Sequence, residues 1–282
     1  MNMMKATGGL VALSLVAAAL PVYADDAETK PKEEVTSLEE KDDFPLSVEV
    51  SLDILSDYVW RGTIYNGNPV WQPSVTLGYD LGDWGALSAN VWQSYDLTHK
   101  RGTATNSRRA CGLQEIDYTL AYAVSLADFD FEVGHIFYTY PNNNGPSDQD
   151  LYATVAYNNP IVTPTAAVYW DYRDNDDDGL FYGNLGLAHD FALCDSLTLT
   201  PSVSLGMGSD AYLRACVDDV NKTAFLDQTT GLALAYAVTD WLSVGAQVNY
   251  TWIVDRDARR ADYMGRDKNQ RVWGGVNVAF SF

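Results

Sequence analysis

From Leu46 to Phe282 the chain alternates apolar and polar residues with a period of two almost without interruption. Leu46, Val48, Val50, Leu52 and Ile54 alternate with Ser47, Glu49, Ser51 and Asp53, and Ile116, Tyr118, Leu120 and Tyr122 with Glu115, Asp117 and Thr119. The same rhythm runs through Trp71–Tyr79, Leu87–Val91, Phe129–Phe137, Leu151–Tyr157, Thr163–Tyr172, Leu180–Phe191, Leu197–Leu205, Phe225–Val238, Trp241–Val254 and Gln270–Phe282. Period two places successive side chains on opposite faces of a strand, so each run has one apolar face. The runs predict about twelve strands, an even number as single-chain bacterial membrane barrels require.

The connections alternate in length. Short turns at Gly82-Asp83-Trp84, Leu126-Ala127-Asp128, Asn158-Asn159-Pro160, Leu193-Cys194-Asp195 and Thr239-Asp240 alternate with long polar stretches. The long ones are Gly62–Val70, Thr98–Gly112, Pro141–Gln149, Arg173–Gly179, Gly208–Thr223 and Asp255–Asn269. Short turns on one side and long loops on the other are the habit of transmembrane antiparallel up-and-down β-barrels, with the short turns periplasmic. A soluble sandwich or lipocalin-like barrel would bury an apolar core and has no use for this asymmetry. No segment after residue 24 reaches the length of a membrane helix, which with a mean hydropathy of -0.17 excludes a helical membrane protein but suits strands of about 10 residues with one apolar face.

The segments before the barrel differ in composition. Residues 1–24 read as a signal peptide: Gly8 to Leu20 is apolar, shorter than the roughly 20 residues of a spanning helix, and Val22-Tyr23-Ala24 offers a small-residue cleavage site. Residues 25–45 are acidic and nearly free of apolar side chains, which predicts a disordered periplasmic tether. Residues 46–282 form the barrel. The net charge of -20 argues against a nucleic-acid partner. Expected partners are outer-membrane lipid and lipopolysaccharide, small solutes and the barrel-insertion machinery.

Tyr58, Trp60, Trp71, Tyr79, Trp170, Tyr250 and Trp252 fall near strand ends, where interfacial aromatic girdles are expected. Ser56-Asp57-Tyr58-Val59-Trp60-Arg61-Gly62 resembles the S-D-Y-V-F-R-G signature of the TorF-type porin family, with Trp60 for the usual Phe and Thr63 where Ile is common. The following Gly- and Trp-rich hairpin, Trp71-Gln72-Pro73 through Trp84-Gly85 to Asn90-Val91-Trp92, extends the likeness over residues 46–96. The resemblance implies an outer-membrane barrel with a porin role and no particular substrate. A terminal Phe on an alternating strand resembles the signal by which such barrels are recognised for insertion, here carried by Val276, Val278, Phe280 and Phe282.

If the apolar parity faces lipid, the other parity lines a lumen. It carries Glu49, Asp53, Glu115, Asp117, Asp130, Glu132, Asp171 and Asp227 against few cations, such as Arg271. Carboxylates around a narrow water channel concentrate cations, so a small cation-preferring pore is expected. Arg61 shares this parity and could pair with Asp57 or Asp53. Trp92, Tyr138, Tyr152, Tyr169, Tyr182 and Trp273 lie on the same face among hydroxyl and amide residues, a lining suited to neutral sugars or, if bulky enough, to blocking the lumen. A structural barrel without conductance, held by its acidic tether, is the competing expectation.

Asp174-Asn175-Asp176-Asp177-Asp178-Gly179 matches the first half of an EF-hand loop, but position twelve is Leu185, so at most a weak outer Ca²⁺ or Mg²⁺ site at Asp174, Asp176 and Asp178 is expected. An acidic turn explains it equally. No other cofactor is implied. Cys111 and Cys216 fall on outer loops and could bridge only if those loops fold over the mouth, whereas Cys194 sits at the opposite end. His99, His135 and His189 lack the nucleophile and orienting group that hydrolysis needs, so no enzyme is expected, and a barrel enzyme acting on lipids is the weaker alternative.

Overall fold

The computed structural model describes residues 45–98, 112–142, 147–172, 179–217 and 220–282. The signal peptide and nearly all of the tether, His99, Cys111, Asp174, Asp176 and Asp178 lie outside the described residues.

The described elements are β1 Leu46–Leu55, β2 Tyr58–Trp60, β3 Thr63–Asn66, β4 Val70–Asp80, β5 Ala86–Asp96, β6 Gly112–Leu126, β7 Phe129–Thr139, β8 Asp148–Tyr157, β9 Thr163–Asp171, β10 Leu180–Ala188, β11 Phe191–Cys194, β12 Leu197–Gly208, α1 Asp210–Cys216, β13 Ala224–Thr239, β14 Leu242–Ile253, α2 Arg256–Arg260 and β15 Gln270–Ser281. All pairings are antiparallel and run in chain order from β1 and β4 through to β10, then β12 to β15, with β15 returning to β1. The short β11 continues β10 along the same partner, since Ala188 faces Ser202 and Phe191 faces Leu199 on β12. The result is a closed barrel of 12 strands. Strands β2 and β3 stand apart as their own two-stranded hairpin.

Closure pairs backbone groups that hydrocarbon would otherwise leave unsatisfied. It runs from Glu49↔Ser281 to Leu55↔Gly275 and is extended by reciprocal bonds between Val48 and Phe282 at 2.9 and 3.0 Å. Followed once around, the strand registers return to β1 about 16 residues out of step, which for this strand number gives a tilt near 40° and a backbone radius of about 12 Å.

Apolar side chains point outward. Leu77, Leu120, Val133, Leu185, Leu232, Val248 and Val276 are all exposed, a continuous belt that water would penalise and hydrocarbon accepts. Aromatic pairs mark its two rims: Trp170 stacks on Phe181 at 6.0 Å at the long-loop end, and Trp241 on Phe280 and Phe282 at 6.3 and 6.2 Å at the other. Val276, Val278, Phe280 and Phe282 share this outward face, opposite Trp273 and Ala279, which are buried within.

The apolar core lies inside the barrel at its long-loop end. Leu55, Tyr58, Val59, Ile64, Tyr169, Tyr182, Leu213, Leu226, Ile253, Tyr263, Met264 and Trp273 pack together there. Toward the short turns, interior positions carry small polar residues such as Ser74, Thr76 and Asn90, which share bonds of 2.7 and 2.8 Å. The lumen is thus polar at one end and filled at the other.

Candidate site at the filled mouth

The filling begins with local sequence. Trp60 pairs with Thr63, leaving Arg61-Gly62 as a two-residue turn with φ of 47° and 81°. Positive φ at both positions is the type I′ turn that tight hairpins favour, and glycine meets it without strain. The flanking Tyr58, Val59 and Ile64 would be bare on an outer loop in water, so the hairpin folds inward and buries them. There Ile64 N–H donates to the carbonyl of Met264 at 2.9 Å, Thr63 Oγ1 to that of Tyr263 at 3.2 Å, and Tyr263 Oη to that of Arg61 at 2.9 Å. Asn66 Nδ2 reaches Gln114 Oε1 on the barrel wall at 3.1 Å. This corrects the girdle placement of Tyr58 and Trp60: both sit on the inward hairpin, and Trp92 packs against Tyr58 at 5.5 Å.

Arg61 crosses the lumen. Its Nη2 meets Asp150 Oδ2 at 2.6 Å, and the guanidinium carbon lies 4.5, 4.9 and 5.2 Å from the ring centres of Tyr169, Tyr182 and Trp60. The expected pairing with Asp57 or Asp53 is therefore wrong, because the hairpin projects Arg61 away from β1 toward the opposite wall. Burial opposes the Arg61 charge, and the Asp150 carboxylate beside it favours that charge. Asp57 instead receives Arg271 Nη2 from β15, which pins the base of the hairpin. Tyr138 Oη donates to Asp150 at 3.1 Å, Tyr182 Oη to Asp227 at 3.0 Å and Tyr152 Oη to Glu132 at 2.7 Å. A cavity of about 40 Å³ remains beside the tip, bounded by Trp60, Arg61, Tyr182, Asn184, Asp227 and Trp273, room for a few waters.

The other expected lumen residues are spread over the barrel. Asp53 accepts from Ser51 at 3.3 Å, and its Oδ1, like that of Asp117, has no partner among the described residues. Glu115 and Glu132 are buried, and Trp273 Nε1 donates to Thr251 at 3.0 Å. Asp130 lies at the short-turn end with Ser125 and Asn158, at 2.5 and 2.8 Å. Glu49 and Asp171 are partly exposed on β1 and β9. Asp150 was missed, although it shares the parity of Tyr152 on β8. Tyr263 and Met264 were also missed, since an outer loop carries no periodicity from which to read an inward face.

Cys194 and Cys216 are free thiols. His135 faces outward and bonds Tyr172 at 2.9 Å and Gln149 at 3.2 Å, while His189 packs edge-on to Phe191 at 4.4 Å.

No family model and no curated protein matches the chain. Among solved structures, an outer-membrane channel from Pseudomonas putida F1 is similar at a TM-score of 0.50 and 12% identity, over 93% of this chain and 100% of that one. The fold is that of an outer-membrane β-barrel. The NanC porin gives 0.49 at 10% identity over 83% and 98%, and the KdgM porin 0.45 at 10% over 84% and 99%. At such identities the likeness concerns the fold.

Proposed function

We propose that the chain is an outer-membrane porin for passive diffusion of small solutes, preferring cations, with the Tyr58–Asn66 hairpin as the constriction at its outer mouth. The observation that carries this is the charge balance inside. Asp53, Glu115, Asp117, Glu132 and Asp227 line the interior, while the arginines that reach it among the described residues are each taken up in a pair, Arg61 with Asp150 and Arg271 with Asp57. A low-dielectric tube with surplus carboxylates attracts cations and repels anions. The TorF-like motif supports the same role, since Arg61 and Gly62 of that motif form the tip of the constriction. The exposed apolar belt supports an outer-membrane location, with the long loops toward lipopolysaccharide.

Reversal potentials of the refolded barrel in a planar bilayer under a KCl gradient test the reading. Cation preference is expected, and anion preference overturns it. The filled mouth also favours a second reading, a structural barrel that does not conduct. Absence of current in both the native chain and Arg61→Ala would establish that alternative.

A further inference from the structure

Arg61 belongs to the chain, yet its surroundings are those of a bound ligand. The opposite wall offers two aromatic faces, Tyr169 and Tyr182, and the Asp150 carboxylate, itself fixed by Tyr138. None of these groups is part of the hairpin. Desolvated aromatic faces attract cations through their ring quadrupoles, and a carboxylate accepts the planar donors of a guanidinium. Arg61 reaches this cage from a turn with φ of 47°, and its buried Nε finds no partner among the described residues. The tether prevents it from using all its donors, a limit that a free guanidinium would not share.

We infer that the cage formed by Tyr169, Tyr182 and Asp150 is a binding site for organic cations of the guanidinium or quaternary-ammonium class, and that Arg61 is a tethered occupant which such a solute displaces. The inference rests on the porin reading and specifies the solute class that opens it. A bare metal ion prefers a shell of several oxygens, and the described residues bring together no group of three His, Cys, Asp or Glu side chains suited to one. A neutral sugar can donate a hydroxyl to Asp150 but brings no positive charge to offset the buried carboxylate, which is costly. A solute cation that enters the cage also has somewhere to go next: Tyr152 stacks on Tyr169 at 5.7 Å and holds Glu132 at 2.7 Å, a second pairing of ring and carboxylate.

The test uses the refolded full chain. Methylguanidinium and tetramethylammonium are titrated by calorimetry into native protein, Arg61→Ala, and Arg61→Ala combined with Tyr169→Leu. Emptying the cage should tighten binding by about tenfold or more, and the added Tyr169→Leu should abolish the gain. A folded Arg61→Ala barrel that binds neither cation more tightly than native overturns the inference, as does a gain that survives Tyr169→Leu. Should Arg61→Ala fail to fold, the native channel decides: methylguanidinium on the long-loop side should raise the K⁺ current where equal NaCl does not, and no rise refutes displacement. Absence of current in every variant defeats the porin reading alone, because calorimetry reports on the cage without it.

Discussion

Replacing Gly62 by alanine should open the mouth while leaving the barrel intact. A Cβ at this position would lie 2.6 Å from Asp227 Cβ and 3.0 Å from Ile253 Cδ1, and φ is 81°. The left-handed backbone costs an alanine about 1–2 kcal/mol. Wedging a methyl group into a packed site costs about 1–3 kcal/mol more. The sum, about 2–5 kcal/mol, falls on the docked hairpin and shifts its docked-to-free ratio by about thirtyfold or more. The barrel ladder does not include β2 or β3, so the folded band of unheated protein in detergent gels should persist. Single-channel recording should show a large rise in open probability. Gly265→Ala supplies the control: φ is 84° but nothing lies within 4 Å of its Cβ, so only the backbone part of the cost applies. A folded Gly62→Ala barrel whose open probability stays within about twofold of native would refute the hairpin as the closing element.

Asp150→Asn strips a carboxylate whose side chain is 3% exposed from an arginine at 11%, and removing one partner of such a pair costs about 3–5 kcal/mol. A cysteine introduced at Thr63, with the native cysteines replaced, should then react faster with a thiol reagent added from the long-loop side; an unchanged rate would count against the pair. At the outer surface Lys222 bridges Asp255 and Asp257 at 2.8 and 2.6 Å, joining the segment after α1 to α2. Burial raises the Asp255 pKa, but Lys222 and the amides of Ala258 and Asp257 together outweigh it, so the carboxyl lies below its ordinary 3.8. Its contribution to loop docking is therefore present above 3.8 and lost as pH falls through the lowered value. Amide hydrogen exchange at Asp257 and Ala258 should accelerate below that range, and Lys222→Ala should weaken this pH dependence. Trp273→Phe replaces the indole by a smaller ring and loses the 3.0 Å bond to Thr251 Oγ1, leaving a fully buried hydroxyl with one partner fewer, a loss of about 1 kcal/mol before the cost of the vacated space, measurable as a lower urea midpoint.

The barrel was legible because each strand writes its own two faces into adjacent residues. Leu120 out and Thr119 in is a local pattern, and hydrocarbon enforces it on every strand alike. The mouth was not, because its contacts cross the lumen. Arg61 and Asp150 lie 89 residues apart, and Tyr263 meets the Arg61 carbonyl across 202. Parity identified Tyr138, Tyr152, Tyr169 and Tyr182 as inward residues, yet could not say that a hairpin would come to meet them. A local signal did exist: Tyr58-Val59-Trp60 and Thr63-Ile64-Tyr65 around Arg61-Gly62 is a hairpin pattern with too many apolar side chains for an outer loop.

The surface that receives the hairpin draws on distant parts of the chain. Gln114 and Asp150 come from the first six strands of the barrel, Asp227, Ile253 and Met264 from its last strands and loop. These groups face one another only after β15 has met β1, a pairing between residues more than two hundred positions apart and among the slowest to form by topology. The topology therefore predicts that the mouth closes last. A newly inserted barrel would pass through an interval in which it is sealed against lipid but still open along its axis, its length set by how fast one nine-residue hairpin finds its seat.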